Sequence, residues 1–554
     1  MDKALEYQPG KITNFDLTVS KKADSGEYVI ELTGVSVTAW EADNVSHGDD
    51  AREYVVIHNP IEGRLESTIV NRYEMDATKI KNLKITGVLG YSDYSFMRDN
   101  MTSLQRVNLK EVASMSGRTY AIPSGAFTDK VSLIKCVLPD KLERIENGAF
   151  SNTSLTGTVL LPEGLKYVAG FENTKITNVH FPSTLEEIGS HAFQACSSLM
   201  CSVSFPETLK KIDDYAFSQS GISGGLILPD NLEYLGENVF YFCGNLSGSI
   251  VIPSRITEIK SSTFAYSGFD GTLTLPNGLV KIGNCAFYGT KLKGDLHLPE
   301  SLTIIDTGAF YSTLFSGTLV LPNELVSLGS CVFYNCGRLS GVVVIPQNIA
   351  SIPSESFYSC TGLEGVVFHK DVEAIESSAF GRCYGITSLV CNAKNPPVIN
   401  SNSFSGVAKD NFTVEVPEAS VAQYRTANNW SEFKRFSAHR DFSISRGLLR
   451  TLNAPCTKEF LLRAPAGSRW TVESKPDWVS VTPSSGNADM TAAICKVDVS
   501  VYVNRLERGA GSRSGEIVFL LEGEDCRVRM TVEQYDYEYG DGDLVTLQTA
   551  SKGK

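Results

Sequence analysis

No run of about 18 apolar residues occurs in the chain, so no segment has the length and hydropathy of a membrane-spanning helix. Basic residues are in deficit, with 50 Lys plus Arg against 63 Asp plus Glu and a formal net charge of -13. Such a balance repels phosphate backbones and anionic lipid, which argues against nucleic acid as a partner. Histidine is scarce and scattered, at 48, 58, 180, 191, 297, 369 and 439, and no HExxH occurs. Gly509 to Gly515 (GAGSRSG) lacks the Lys-Ser/Thr of a phosphate loop and reads as a turn between β-segments. Without convergent acid, base or nucleophile, the sequence points away from an enzyme, and no cofactor or metal site is expected. Met1 to Asn14 lacks the basic start, apolar stretch and cleavage site of a signal peptide, leaving open either cytoplasmic residence or a signal already removed.

At 554 residues the chain exceeds one hydrophobic core, so it forms several domains or an elongated array. Self-similarity decides for the array. A phenylalanine recurs as Phe127, Phe150, Phe171, Phe193, Phe217, Phe240, Phe264, Phe287, Phe310, Phe333, Phe357, Phe380 and Phe404, at intervals of 21 to 24 residues. Eleven residues before most of these stands a proline, and in one shortened coil Pro162 stands nine before Phe171. Gly271 to Phe287, GTLTLPNGLVKIGNCAF, shows the whole unit. The alternation Leu273-Thr274-Leu275 fits a strand with one buried face, and Pro276 ends it because proline cannot donate to the next ladder bond. Leu279, Ile282 and Phe287 return at spacings that fit neither a long helix nor a long strand. One coil cannot enclose them, but stacked coils can, with one short parallel strand each and a continuous ladder of phenylalanines inside.

The thirteen cysteines are an odd number spread over a large chain, which gives no compact disulfide framework. Cys196, Cys243, Cys336, Cys360 and Cys383 each lie three residues after a ladder Phe. Without a CxxC pair or histidine cluster they read as buried thiols packed as small hydrophobes rather than metal ligands, and Cys285 and Cys331 are read the same way.

The segments IENGAFSNTSL, IGSHAFQACSSL and IPSESFYSCTGLEGVVF resemble the BspA-type leucine-rich repeats of bacterial surface proteins, especially those of Bacteroidetes. The resemblance runs from about Ile122 to Phe404, with Lys79 to Leu109 resembling the family's N-terminal cap and Phe412 to Phe436 its exit segment. An added glycine at 157, 224, 248, 271, 294, 317 and 341 departs from the pattern by lengthening the turn before the strand. From Phe442 to Gln534 the repeat gives way to short alternating stretches between Gly, Pro and Ser, the pattern of a β-sandwich. Here WTVESKPDWVSVTPSSG, Asn504, Arg513 to Gly515 and the VEQ ending at Gln534 resemble the BACON domain of Bacteroidetes extracellular proteins. Residues 437–534 hold 13 basic and 12 acidic residues, so the acidity sits in the repeats.

The expected fold is therefore a β-rich leucine-rich-repeat solenoid of about 12 coils of 23 residues, with a parallel sheet on one side, followed by an Ig-like β-sandwich. Residues 1–53 read as an N-terminal β-region, 54–120 as a cap, 121–405 as the repeats, 406–436 as the C-terminal cap, 437–535 as the BACON-like sandwich and 536–554 as a linker or tail. In that tail Asp541 and Asp543 read as a solvated acidic pair rather than a calcium site.

Binding surfaces are sought at repeated positions. The residue after the ladder Phe is Tyr241, Tyr288, Tyr311, Tyr334 and Tyr358, with Tyr266 one step offset. The phenols either form an outward stripe suited to glycans and proteins or lie over the Phe ladder as edge-of-core packing. The position two before each proline (Leu160, Ile227, Val251, Thr274, Val320, Val344) is apolar, which marks either an exposed contact row or one shielded by neighbours. Trp470 and Trp478 would stack on sugar or fill the sandwich core. The structural ladder is Phe193, Phe217, Phe240, Phe264, Phe287, Phe310, Phe333, Phe357 and Phe380. Together with the two resemblances, these features imply a monomeric, noncatalytic protein exported to the cell surface, as a lipoprotein or outer-membrane associated, that adheres to host protein, mucin or glycan. The alternatives are a spacer for a C-terminal enzymatic domain absent from this chain and a targeting module for a partner enzyme.

Overall fold

The computed structural model describes residues 11–21, 28–39, 54–115, 120–438, 443–444, 448–452, 456–464, 469–487, 494–501, 512–521 and 526–535. The tail at 536–554, with Asp541 and Asp543, lies outside them. The chain divides into two compact units, Met1–Ser316 with Pro322–Arg338 and Ile352–Cys360, and Gly317–Leu321 with Leu339–Ser351 and Thr361–Lys554. At the N-terminal end, Lys11–Lys21 and Tyr28–Ala39 pair as an antiparallel hairpin.

Each repeat carries two strands rather than the one expected. Leu273–Thr274 pairs in parallel with Ile250–Val251, forming the row that ends at the prolines. After the proline turn, Lys281–Ile282 pairs in parallel with Glu258–Ile259 on one side and Ile304–Ile305 on the other. In these pairs one residue faces out and one, such as Ile282, is fully buried. Two residues are too few for alternation to show in sequence, so this second parallel row leaves no mark there. The segment read as the N-terminal cap adds rungs of its own: Val55–Asn59, Asn82–Leu89 and Arg106–Asn108 pair in parallel in that order, and Arg106–Asn108 pairs with Lys135–Val137 of the repeats. In the second unit Leu339–Val344, Leu363–Phe368, Ser388–Cys391, Val414–Val416 and Phe436–Ala438 do the same. With these the turns number about 15.

The turns are tied to one another as firmly as the strands. The N–H of each ladder Phe from Phe127 to Phe333 donates to the carbonyl just before the next ladder Phe, at 2.7 to 3.0 Å. Inside this ladder the rings from Phe127 to Phe357 stack at centroid distances of 5.1 to 5.8 Å and within 19° of parallel. Edge-on rings close the stack. Tyr94, on the helix Tyr91–Asp99, meets Phe127 at 82°, and in the second unit Phe433 meets Phe404, itself stacked on Phe380, at 80°. Buried Asp93 fixes the N-terminal cap by accepting the N–H groups of Gly63, Leu65 and Gly90, each at 2.8 Å. Among the added glycines, Gly157 and Gly341 are left-handed inside their strands, at φ +85° and +81°, and the strand register shifts just after both.

The position three after the ladder Phe must satisfy a buried polar atom. Thr153, Thr174, Ser267, Thr290 and Thr313 donate to the carbonyl of their own coil's Phe, at 2.6 to 3.0 Å. Cys196, Cys243, Cys336 and Cys360 instead place their sulfur 3.0 Å from the carbonyl of the preceding ladder Phe. All are free thiols, and burial pushes Cys196 and Cys336 up to about 11 and Cys243 up to about 12. Cys285 and Cys331 correct the expectation. They sit two residues before the Phe, half-buried and left-handed, and the Cys331 sulfur lies 3.4 Å from Glu355 Oε2.

Beyond the repeats, two sheets share one core. Ser443–Ile444, Cys456–Arg463, Ile494–Val501 and Val479–Thr482 form one, in that order. Leu448–Leu452, Cys526–Tyr535, Ser512–Leu521, Arg469–Ser474 and Ser485–Asn487 form the other, antiparallel except where Leu448–Leu452 meets Cys526–Tyr535. Phe460, Leu462, Trp470, Val499, Phe519 and Val532 lie between them.

Replacing Phe287 by Ala removes a ring packed on both sides and should lower the unfolding free energy by about 3 to 5 kcal/mol, measured by urea denaturation. A loss below about 1 kcal/mol would show that the stack relaxes around the gap. Cys196, Cys243 and Cys336 should resist maleimide at pH 8 in the folded chain and react on unfolding, while half-buried Cys201 and Cys285 react first. Because burial raises these thiols when folded, the stability they contribute is complete below their ordinary value of 9.0 and is lost as pH climbs towards 11 to 12.

Candidate binding surface

Stacking the coils puts equivalent residues of successive turns one above another, so each turn position becomes a column. The position after the ladder Phe is half-buried, and there the tyrosines pack on one another. Ring centroids are 4.3 Å apart for Tyr288 and Tyr311, 4.4 Å for Tyr311 and Tyr334, and 4.8 Å for Tyr334 and Tyr358, all within 17° of parallel. Tyr266 joins at 5.1 Å from Tyr288, tilted 52°. The faces are thus largely consumed within the column, and what reaches solvent is a row of ring edges and hydroxyls. Tyr241 lies outside the parallel stack and packs edge-on against Phe242, at 4.7 Å and 72°.

The phenols are electrostatically coupled. Tyr266 is held above the ordinary phenol range first by its hydrogen bond with the Tyr288 hydroxyl and then by partial burial. Desolvation is the leading cause for Tyr288 and Tyr311; in each the hydroxyl of the following coil raises the value further, while the hydrogen bond with the preceding coil's hydroxyl opposes the rise.

Two other predicted positions behave differently. Trp470 is fully buried between the two sheets, and its aromatic neighbour is Phe519 at 6.1 Å, so no sugar can reach its face. Contrary to the sequence expectation of a sugar contact, Trp470 belongs to the core. Trp478 is half-buried and carries the Arg513 guanidinium 4.3 Å over its ring, while Arg513 Nε donates to Gln534 Oε1 at 2.8 Å. The apolar strand row divides. Ile227 and Val251 are 82% and 59% exposed. In the second unit Val344 and Val342 instead pack with buried Val367 and Val390 beneath Leu461, which points away from the core shared by Phe460 and Leu462.

The outward residues of the second strand row form a strip that sequence reasoning missed. Arg144 lies 4.0 Å over Tyr167 and pairs with Glu146, Lys211 pairs with Glu187 and Asp213, and Lys281 with Glu258 and Asp306. Burial opposes the charge of Lys211, but its hydrogen bonds with Asp213 and Glu187 outweigh this and hold the ammonium above its ordinary range. The signal was there to be read: one residue before each inward aliphatic, the chain runs Arg144, Tyr167, Glu187, Lys211, Tyr234, Glu258, Lys281. These charges satisfy one another and leave little for a ligand. His297 is exposed, and His369 is buried with Nε2 on the Ile349 carbonyl at 2.9 Å and Nδ1 accepting from the Asp371 N–H at 3.1 Å, a structural arrangement. Among the described residues no group of three or more His, Cys, Asp or Glu could hold a metal ion.

Alkaline titration followed by phenolate absorbance should show part of the tyrosines ionising above the usual value of 10.0, and Tyr288→Phe should remove amplitude from that late fraction. Raised phenol values in the folded state mean that the stability they contribute is complete below pH 10 and falls as pH rises through them. A single transition at the free-phenol value would contradict the stacked column.

Residues 120–170, 167–293 and 281–412 match the family described as BspA type Leucine rich repeat region, in 6 copies. No curated protein matches the chain. Among solved structures, a leucine-rich repeat protein from Bacteroides ovatus aligns at 22% identity over 76% of this chain and 98% of its own, with a TM-score of 0.43. The pneumococcal vaccine antigen PcpA aligns at 19% identity over 65% and 80%, with a TM-score of 0.35. A leucine rich cell surface protein from Faecalibacterium prausnitzii aligns at 18% identity over 54% and 84%, with a TM-score of 0.26. Since the family match extends from residue 120 to residue 412, over half of the sequence, the chain belongs to the BspA type leucine-rich-repeat family.

Proposed function

We propose that this chain is a noncatalytic cell-surface binding protein that recognises host protein, mucin or glycan through the turns of its repeats. The tyrosine column carries this reading. Tyr266, Tyr288, Tyr311, Tyr334 and Tyr358 present one phenol per coil, locked by stacking, so a ligand orders little side chain on binding. The surface location, with anchoring as a lipoprotein or at an outer membrane, follows the resemblance of the repeats to surface proteins of Bacteroidetes. The C-terminal sheets are read as a BACON-like, Ig-like sandwich, and the chain as a monomer. One observation favours a second reading, a rigid spacer: Leu461 of the C-terminal sheets packs on Val367 and Val390 of the repeats, which fixes that domain on its neighbour.

The test is binding of the purified chain to an array of glycans, mucins and matrix proteins, beside a variant carrying Tyr288→Ser, Tyr311→Ser and Tyr334→Ser. Specific binding by the parent, lost in the folded variant, is the expected result. Binding that survives the substitutions removes the column as the site, and no binding to any member of the array leaves the spacer.

A further inference from the structure

Two residues after the ladder Phe, the backbone is left-handed in every coil from Asp129 to Gly406. L side chains rarely adopt that conformation, and Gly, Asn and Asp adopt it most readily. Six of the thirteen coils comply, with Asp129, Asn152, Asn173, Gly289, Asn335 and Gly406 there, while Ala195, Gln219, Ser312, Ser359 and Arg382 are non-aromatic departures. Two adjacent coils place aromatic rings in the slot. Phe242 at φ +56° and Tyr266 at φ +55° put bulky aromatic rings in this slot and leave them 50% and 42% exposed. Neither ring fills the core; the two pack at the surface and leave adjacent aromatic area exposed to solvent, which suits a contact site.

The geometry adds to this. Phe242 stacks on Tyr266 at 4.6 Å and 28°, Tyr241 meets Phe242 edge-on, and Tyr266 leads into the tyrosine column. Tyr266 can lie over the next coil because Gly289 stands there; a Cβ on Gly289 would come within 3.0 Å of its ring. Among the described residues, Tyr241 and Tyr266 are the ring partners of Phe242, half of whose surface stays exposed, and the preceding coil carries exposed Gln219 in the same slot. Gln219, Tyr241, Phe242, Tyr266 and Gly289 carry no charge.

We infer that the Phe242 end of the aromatic column seats a neutral hexopyranose ring of a glycan, with the Gln219 amide and the Tyr241 hydroxyl available to its hydroxyl groups. Exposed aromatic surface matches the C–H face of a pyranose, and neutral groups beside it match an uncharged sugar rather than an anionic or cationic ligand. A protein partner needs roughly 800 Å² per side, far more than two half-exposed rings provide. This deepens the proposed binding function and rests on it.

The test uses cellohexaose and mannohexaose as neutral probes and a heparin hexasaccharide as the charged comparison, followed by saturation-transfer NMR and calorimetry on the full chain. The variants are Phe242→Asn and Tyr266→Ser, which install residues that other coils carry in this slot and should leave the thermal midpoint unchanged or raised. A neutral probe should bind the parent and weaken at least about tenfold in Phe242→Asn. Equal binding by both, preference for heparin, or no transfer from either neutral probe overturns the proposal. If Phe242→Asn keeps array binding that the triple tyrosine variant loses, this inference fails and the proposed function stands. If the triple variant keeps all array binding and Phe242→Asn loses the neutral probe, the column fails as the site and the Phe242 site stands.

Discussion

A single coil of this protein cannot bury its own phenylalanine. The ring is covered only when the next coil lays its ring a little over 5 Å above it and its N–H meets a carbonyl of that coil. Most other positions of the coil answer to that constraint. It fixes a small residue just before each Phe, in most coils a hydroxyl or thiol three residues after it to meet a ladder carbonyl, and left-handed backbone to turn the chain around it. It also makes the ends special, since the last ring of a stack has one face and no partner. In the first unit edge-on Tyr94 covers Phe127, and in the second unit edge-on Phe433 covers Phe404.

The same stacking converts each surface position into a column in which neighbours interact across coils. Columns of unlike charge neutralise themselves, as from Arg144 to Lys281, and make a quiet surface. The tyrosine column stacks, and its chemistry shifts from ring faces to edges and hydroxyls, with half-exposed Phe242 where the column stops. Recognition by such a scaffold therefore concentrates at breaks in periodicity, where one residue departs from what its column carries elsewhere.

The strand face shows the opposite outcome. A row of aliphatic residues looks the same in sequence along its length, yet Val367 and Val390 lie beneath Leu461 while Ile227 and Val251 meet solvent. Burial of this row was decided by a domain far along the chain, whose strand Cys456–Arg463 turns Phe460 and Leu462 inward to its own core and Leu461 outward.

What the sequence determined by itself was the repeat. The phenylalanine period, the proline eleven residues earlier and the cysteines three residues later state the register, because each residue type answers a packing need that recurs in every coil. The second strand row stayed hidden because two residues cannot display a period. The half-buried Cys285 and Cys331 were misassigned because the left-handed slot before the Phe leaves no residue signature when His191, Tyr215, Cys285 and Glu355 all occupy it. Trp470 and Trp478 could not be sorted by residue type, and the turn of one strand placed the first inside and the second at the rim beneath Arg513. Tertiary structure alone decided which tyrosine faces were spent on one another and which aromatic ring was left half-exposed, because that depends on the stacking of side chains about 20 residues apart in sequence and on where the stack ends.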